Sequence, residues 1–443
     1  MQAIETRTLG LGAWPGFDTD FSARVVDVGV SPGGRRFRRL LEHELVRSRG
    51  QSAAMGPPLL MRREWADALG RFAEAYHRCI ERVVGAYVSD ARLRRTMPVP
   101  PTLEAAFARD PSQDIAVHLC RLDLLPSRDG GFVVLETNAN CPGGLLTCGI
   151  AARRWRGLLD TDGVGLPSAL PQEDDGWMAS WLLETAEEVT GDAPELVVLV
   201  REQGGNRLEL PGLAELLRCR GVGVIEADPR DFSVEGGSVR LGGAHVASGY
   251  WKLGFRELLG MGSSVDPVVR AVGAGTLFVP NGLRGRSIAD NKLALAVLSD
   301  PSFDDLFDPE DIERIRRHLP WSRNLALCSK DVIESVRAQP ERFVLKRPYD
   351  TRGRGVVMGI ETASPGVWAR CVATAVREGW LVQAYHFPTE TAADFRGGRQ
   401  SHDLCIGVAN GVMVSAHARS SPEPRLNVAN GGRLHPVFME SLR

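Results

Sequence analysis

Only four of the chain's 53 lysine and arginine residues are lysine: Lys252, Lys292, Lys330 and Lys346. Where arginine has replaced lysine at every place that any cation serves, a retained lysine marks a need for a compact ammonium on a flexible stem rather than a planar fork. Phosphate contacts deep in a nucleotide site are such places. Lys346 lies in FVLKRPYDTRGRGVVMG, at the end of a β-like run and just before the turn Gly353-Arg354-Gly355. Successive glycines let backbone amides approach phosphate oxygens. Lys292 lies in RSIADNKLALAVLSDP, at the head of a helix-like stretch. The two contexts together predict an ATP site, although no Walker A loop is present.

A second group of residues suits a divalent cation. The stretch 114–144 reads as two strand-like runs around a Ser-Arg-Asp-Gly-Gly turn, a β-hairpin. Period-2 geometry puts Glu136 and Asn138 on one face of their strand, and the hairpin can bring Asp123 alongside. Two carboxylates and an amide oxygen form a hard, oxygen-only set of the kind that holds Mg²⁺, which fills its remaining positions with water and phosphate oxygens. Arg121 shares the face of Asp123 and is placed to touch a transferring phosphoryl group. Two further segments complete the candidates. LVQAYHFP is an apolar strand whose end, Gln383-Ala384-Tyr385, could pair with an adenine edge. Arg419, Arg425 and Asn427, with the turn Asn430-Gly431-Gly432, could form an anion pocket. Singly, each has a plain structural reading as a solvated hairpin face, a tight turn, a buried strand or a cationic loop. His118, His402 and His417 read as structural.

The elements that must position these residues follow from the pattern along the chain. Residues 1–112 read as mainly helical, with helix-period apolar spacing from Glu64 to Val88. Residues 113–175 hold the carboxylate hairpin and end in a loop-rich stretch, 163–175. Residues 176–262 read as a small α/β lobe of the doubly wound kind, in which ELVVLV, LPGLAELLRCRG and VGVIEAD form a β-α-β unit with Gly221 as the helix stop. Residues 263–443 carry both phosphate lysines, the glycine turn and the adenine strand. The composition is that of a globular protein, with 443 residues, 43% apolar content, net charge −2 and a pI near 6.5. It excludes a nucleic-acid binder relying on a broad basic surface. The eight cysteines form no C-x-x-C pair and read as reduced thiols. The N-terminal residues do not read as a signal peptide, and no apolar run is long enough for a bilayer, so a cytoplasmic protein without membrane partners is expected. A homodimer is the default assembly.

Taken together, these motifs resemble the ATP-grasp ligases. Glu136-Thr137-Asn138 precedes both lysines, whereas the usual order in that superfamily places the metal-binding E-x-N late. The order here is similar to the circularly permuted branch typified by glutathionylspermidine synthase. There an R-x-D strand and an E-x-N strand come first and supply Mg²⁺ ligands, and the lysine of an N-K pair and the lysine before a glycine loop come later and bind ATP. The resemblance implies an α/β ATP-grasp fold with an α/β pre-ATP-grasp lobe at about 190–262. It implies Asp123, Glu136 and Asn138 for Mg²⁺. Lys292 and Lys346 would serve the ATP phosphates, with Gly353 and Gly355 closing over them. Arg121, Arg419 and Arg425 would serve phosphate or the oxyanion of an intermediate. The tail Arg425-Leu426-Asn427 with its later Gly-Gly is similar to the R-x-N…GG segment of RimK-type peptide ligases, which gives Asn427 a place beside the nucleotide. The implied activity is ATP-dependent joining of a carboxylic acid to an amine through an acyl phosphate. The arginine-rich composition and the stand-alone ligase are similar to the peptide ligases of pheganomycin-type antibiotic biosynthesis, which join a guanidino acid to a peptide amine. Departures from the glutathionylspermidine branch are the missing amidase domain, the sequence Ala-Asn-Cys-Pro-Gly-Gly after Asn138, and N-terminal helices without a family motif. A small-molecule kinase and a non-catalytic nucleotide-binding protein are the rival readings.

Overall fold

The computed structural model describes residues 16–49, 54–107, 117–126, 131–163, 176–205, 207–350, 353–362, 364–388, 390–391, 400–423, 426 and 432–440. Its largest element is a seven-stranded sheet drawn from both ends of the chain. In spatial order the strands are Leu59–Met61, Arg433–Met439, Val412–Ser421, Gln400–Ala409, Leu119–Pro126 and Phe132–Asn138, with Glu390–Thr391 pairing alongside Gln400–Ala409. All pairs are antiparallel except Leu59–Met61 with Arg433–Met439. That short strand lies in a segment expected to be helical. Three residues behind a Pro-Pro pair are too few to show a period.

The period-2 rule sorts this sheet into two faces. Leu122, Leu124, Leu404, Ile406 and Val408 point one way and are buried in the main core. The 24-residue helix Arg63–Ala86 covers them with Leu69, Phe72, Ala73, Tyr76, Ile80 and Val83, the apolar stripe of its helical repeat. Arg121, Asp123, Asp403 and Arg419 alternate with those apolar residues and therefore share the opposite face. Burying one face against a helix thus fixes which residues the other face offers.

A four-stranded antiparallel sheet, ordered Ser322–Asn324, Leu381–Ala384, Phe343–Lys346 and Val356–Met358, carries the later lysine. Helices Lys330–Ala338 and Pro365–Glu378 back it through Leu325, Val336, Leu345, Trp368, Val372, Trp380 and Val382. Helix Pro365–Glu378 starts on a Ser364 cap that accepts from the Val367 amide and stops at Gly379, whose φ of 67° a Cβ would oppose. A third unit is the parallel sheet Gly223–Ala227, Leu196–Val200, Ser248–Trp251, with helix Leu210–Cys219 as its crossover. It is the small α/β lobe that the sequence pattern predicts, and the hairpin Phe232–Glu235 and Ser238–Leu241 follows it. No described helix is long and apolar enough to cross a membrane.

Buried side chains weld these units together. Asn281, with φ 68°, accepts from the Leu119 amide and donates to the carbonyls of Leu119 and Ala139, while its own amide donates to His118 Nδ1. His118 is structural, as expected. Burial pushes it down to about 4, so its ring is neutral and free to accept that bond.

Candidate functional site

Arg121 stands opposite Asn138, and Asp123 opposite Glu136, in the hairpin register. These residues, with Lys292, Lys346 and Arg419, line one cleft of about 480 Å³. It lies where the hairpin end of the large sheet meets the lysine-bearing sheet. Lys346, the last residue of its strand, donates to the Leu135 carbonyl at 2.8 Å. The Lys292 ammonium lies 3.2 Å from Glu136 Oε2 and donates to the Asp350 carbonyl at 2.9 Å. Two lysines 54 positions apart in sequence thus meet adjacent residues of the hairpin, Leu135 and Glu136.

The electrostatics are those of a site poised for an anion. Lys292 is buried, which lowers its proton affinity, but Glu136 and Asp290 outweigh burial and hold it above its ordinary value. Burial pushes Lys346 down to about 8, with the Glu136 charge opposing and the Lys292 charge assisting. Glu136 is raised by burial yet held below its usual range by Lys292. A polyphosphate entering the cleft would relieve the repulsion between the two ammonium groups.

Asp123 is enclosed differently. Its carboxylate accepts from Arg121 Nε at 2.7 Å, Arg121 Nη2 at 3.1 Å and Arg419 Nη2 at 2.8 Å. Burial raises its pKa, but the two guanidinium charges win and hold it well below the usual carboxylate range. Arg419 also clasps Asp403, its cross-strand neighbour, through Nε and Nη2. The sequence reading has both arginines facing the reaction; here they first neutralise buried carboxylates. Arg121 and Arg419 still line the cleft.

The donor set fits a hard cation. Glu136 and Asn138 line the cleft, the Glu136 side chain is 25% exposed, and the buried Asn138 amide nitrogen has no hydrogen-bond partner among the described residues. Asp123 accepts three hydrogen bonds and retains one lone-pair direction. No cluster of three or more His, Cys, Asp or Glu that could hold a metal ion occurs among the described residues.

Other expectations divide. Gly353 and Arg354 line the cleft, whereas Gly355 does not. A Cβ on Gly355, at φ 67°, would come within 2.3 Å of Asp350 Oδ2, so this glycine makes room for the carboxylate beneath the turn. Gln383, Ala384 and Tyr385 line the cleft, but the Ala384 amide donates to Trp321 O and the Tyr385 amide to Arg342 O. Neither can donate to an adenine ring nitrogen, which corrects that part of the hinge reading. Arg425, Asn427, Asn430 and Gly431 lie outside the described residues, as does most of the loop-rich stretch 163–175.

Sequence reasoning missed Asp290, Asp350, Asp403, Glu209 and Lys252. Asp290 accepts the amides of Ala139 and Asn140, both at 2.9 Å. Asp350 is 3% exposed and answers Arg256 and Arg347. Only Lys252 had a visible signal, as one of four retained lysines.

The sequence matches no protein-family model and no curated protein. Among solved structures, the chain is similar to a glutathione synthetase-like effector from Globodera pallida in its apo form. Identity is 14% and the TM-score 0.60, over 93% of this chain and 99% of that one. The likeness establishes a shared fold across nearly the whole chain, the α/β ATP-grasp fold. D-alanyl-alanine synthetase A from Vibrio cholerae aligns at 11% identity over 52% of this chain and 68% of that one, with a TM-score of 0.29, too low to carry an argument.

Removing one partner of a buried charged cluster leaves the others uncompensated. Asp403→Ala, which deprives buried Arg419 of one carboxylate, is expected to cost about 3 kcal/mol in urea denaturation. A loss below about 1 kcal/mol, the range of an exposed pair, would contradict the network described here.

Proposed function

We propose that this protein is an ATP-dependent carboxylate–amine ligase that works through an acyl phosphate. The observation that carries this reading is the convergence of Lys292 and Lys346 on the hairpin face that bears Glu136, Asn138 and Asp123. Two ammonium groups beside an oxygen donor set answer the charge pattern of a metal-bound triphosphate.

A carboxylate is a poor acyl donor because oxide is a poor leaving group. In the proposed reaction its oxygen bonds to the γ-phosphorus, the bond to the β–γ bridging oxygen breaks, and ADP leaves. The amine nitrogen then attacks the acyl carbon, the C–O bond to phosphate breaks, and an amide and inorganic phosphate result. The amine proton passes to the departing phosphate or to water. Such phosphoryl transfer needs alignment and charge neutralisation more than covalent help. Lys292 and Lys346 neutralise phosphate oxygens. The turn at Gly353 and Arg354 closes the triphosphate from water. Arg419, which lines the cleft, would face the developing oxyanion, and Arg121 holds Asp123 in place. Glu136, Asn138 and Asp123 would hold Mg²⁺, which would supply charge neutralisation to the triphosphate.

The circularly permuted order is part of this proposal. The E-x-N hairpin comes early in sequence yet shares a sheet with Gln400–Ala409 and Val412–Ser421, which supports reading the two segments as one ATP-grasp core in permuted order. The substrates we infer are a modified, guanidino-bearing amino acid and a peptide amine in natural-product biosynthesis, on the resemblance to the pheganomycin-type ligases. Arg425 and Asn427 belong to the proposed anion pocket, and the assembly is proposed as a homodimer in the cytoplasm.

ADP release over pools of acids and amines, with mass spectrometry of the products, tests the activity. Amine-dependent ADP release with an amide product is expected, and Lys346→Ala should lower it by at least about a hundredfold while the protein stays folded. ADP release with a phosphorylated product and no need for an amine would make the protein a kinase instead. A second test uses the depressed pKa. The protonated Lys346 favours an anion, so ATP affinity without divalent cation should be full below about pH 8 and weaken as pH rises through it. Titration calorimetry should find this loss abolished in Lys346→Arg, whose guanidinium stays charged. A profile unchanged by that substitution would contradict the assignment.

A further inference from the structure

The sequence Ala-Asn-Cys-Pro-Gly-Gly, at 139–144, has no place in the proposed chemistry, yet its backbone is held by side chains from several elements. Asp290 takes the amides of Ala139 and Asn140, and Asn281 takes the Ala139 carbonyl. Lys252 donates to the carbonyls of Cys141 and Pro142, both at 3.1 Å. Arg121 Nη1 donates to the Gly143 carbonyl at 2.5 Å. Glu209 accepts from the Gly144 amide at 3.1 Å, the Thr147 amide at 2.7 Å and the Thr147 hydroxyl at 2.8 Å. Lys252 and Glu209 themselves lie 3.8 Å apart, with side chains 1% and 4% exposed. Glu209 does this from a left-handed backbone, φ 67°, a conformation that strains a non-glycine residue.

Lys252 and Glu209 both come from the parallel-sheet lobe. Lys252 directly follows the strand Ser248–Trp251, and Glu209 precedes the helix Leu210–Cys219. The turn they hold lines the catalytic cleft from Asn140 to Gly144. One of its carbonyls, Gly143, is also the third anchor of the Arg121 guanidinium, whose other two bonds go to Asp123. A tetrahedral ammonium donates from one atom in divergent directions out of any single plane, whereas a guanidinium donates only within its own plane. That geometry accounts for a lysine at 252 in a chain that otherwise favours arginine.

We infer that Lys252 and Glu209 are positioning residues. Through the 139–144 turn, the parallel-sheet lobe holds Arg121 in place and keeps water from the acyl phosphate. The inference rests on the ligase reading and deepens it. Arg121 holds Asp123 at the cleft; Lys252 and Glu209 act on it through the turn. When the turn loosens, water replaces the amine at the acyl carbon. The C–O bond to phosphate then breaks, and the original acid and inorganic phosphate are returned, so ATP is consumed without amide.

The test is the ratio of ADP released to amide formed, measured with the full chain and a pair of substrates that the unmodified protein joins. The unmodified protein is expected to give about one ADP per amide. Lys252→Met should raise the ratio by roughly fivefold or more, while its Kd for ATP stays within about twofold because Lys292 and Lys346 are intact. Glu209→Gln should act in the same direction, and it carries the test if Lys252→Met does not fold. Leu217→Ala, a core substitution in the same lobe, controls for general loosening and should leave the ratio near one. A normal ratio in both the Lys252 and Glu209 variants, or an equal rise in Leu217→Ala, overturns this inference and leaves the ligase reading standing. An unmodified protein that releases no ADP with any acid overturns both.

Discussion

The structure depends on the meeting of Glu136 with Lys292 and of the Leu135 carbonyl with Lys346. These contacts join the carboxylate hairpin to the sheet and the segment that carry the lysines. Each group is buried or nearly so, and a buried charge without a partner is costly. The hairpin cannot leave the lysines, nor the lysines the hairpin, without exposing that cost. The opposed pKa shifts express the same constraint. Lys292 is held protonated by its acidic neighbours, while burial pushes Lys346, which donates to the Leu135 carbonyl, towards losing its proton. The cleft therefore gathers two ammonium groups beside the carboxylate hairpin, a charge arrangement that favours an anion.

A second layer of charge keeps the first in register. Asp123 sits between Arg121 and Arg419, and Arg419 reaches on to Asp403. Asp403 and Arg419 are cross-strand partners, so backbone pairing delivers the guanidinium to the carboxylate without a flexible loop. The apolar half of the same strands, packed on helix Arg63–Ala86, fixes which face these charges occupy. Arginine suits this layer because its fork holds two carboxylates at once, and lysine suits the layer above it because a point charge can follow a phosphate.

Much of this was legible in the sequence. The period-2 reading of 121–138 placed Arg121, Asp123, Glu136 and Asn138 together because a hairpin's faces follow from its register alone. The scarcity of lysine singled out Lys292 and Lys346. The β-α-β pattern after Pro194 gave the parallel lobe. What stayed hidden depends on contacts distant in sequence. Nothing local marks Asp290 as the acceptor for the Ala139 and Asn140 amides, or Glu209 as the cap of a helix that begins at Leu145. The strand Leu59–Met61 was missed because only its partner near the C-terminus makes it a strand. The adenine reading of Ala384 and Tyr385 failed on bookkeeping that sequence cannot do, since their amides were already committed to Trp321 and Arg342.

The central claim is that one triphosphate is gripped from both sides, by the hairpin and by the two lysines. A crystal structure with a non-hydrolysable ATP analogue and Mn²⁺ tests it most directly. The account predicts an anomalous manganese peak beside Glu136 and Asn138, with phosphate oxygens within hydrogen-bond reach of both Lys292 and Lys346. Nucleotide density elsewhere on the protein, or a bound nucleotide that leaves both ammonium groups on their present partners, would contradict it.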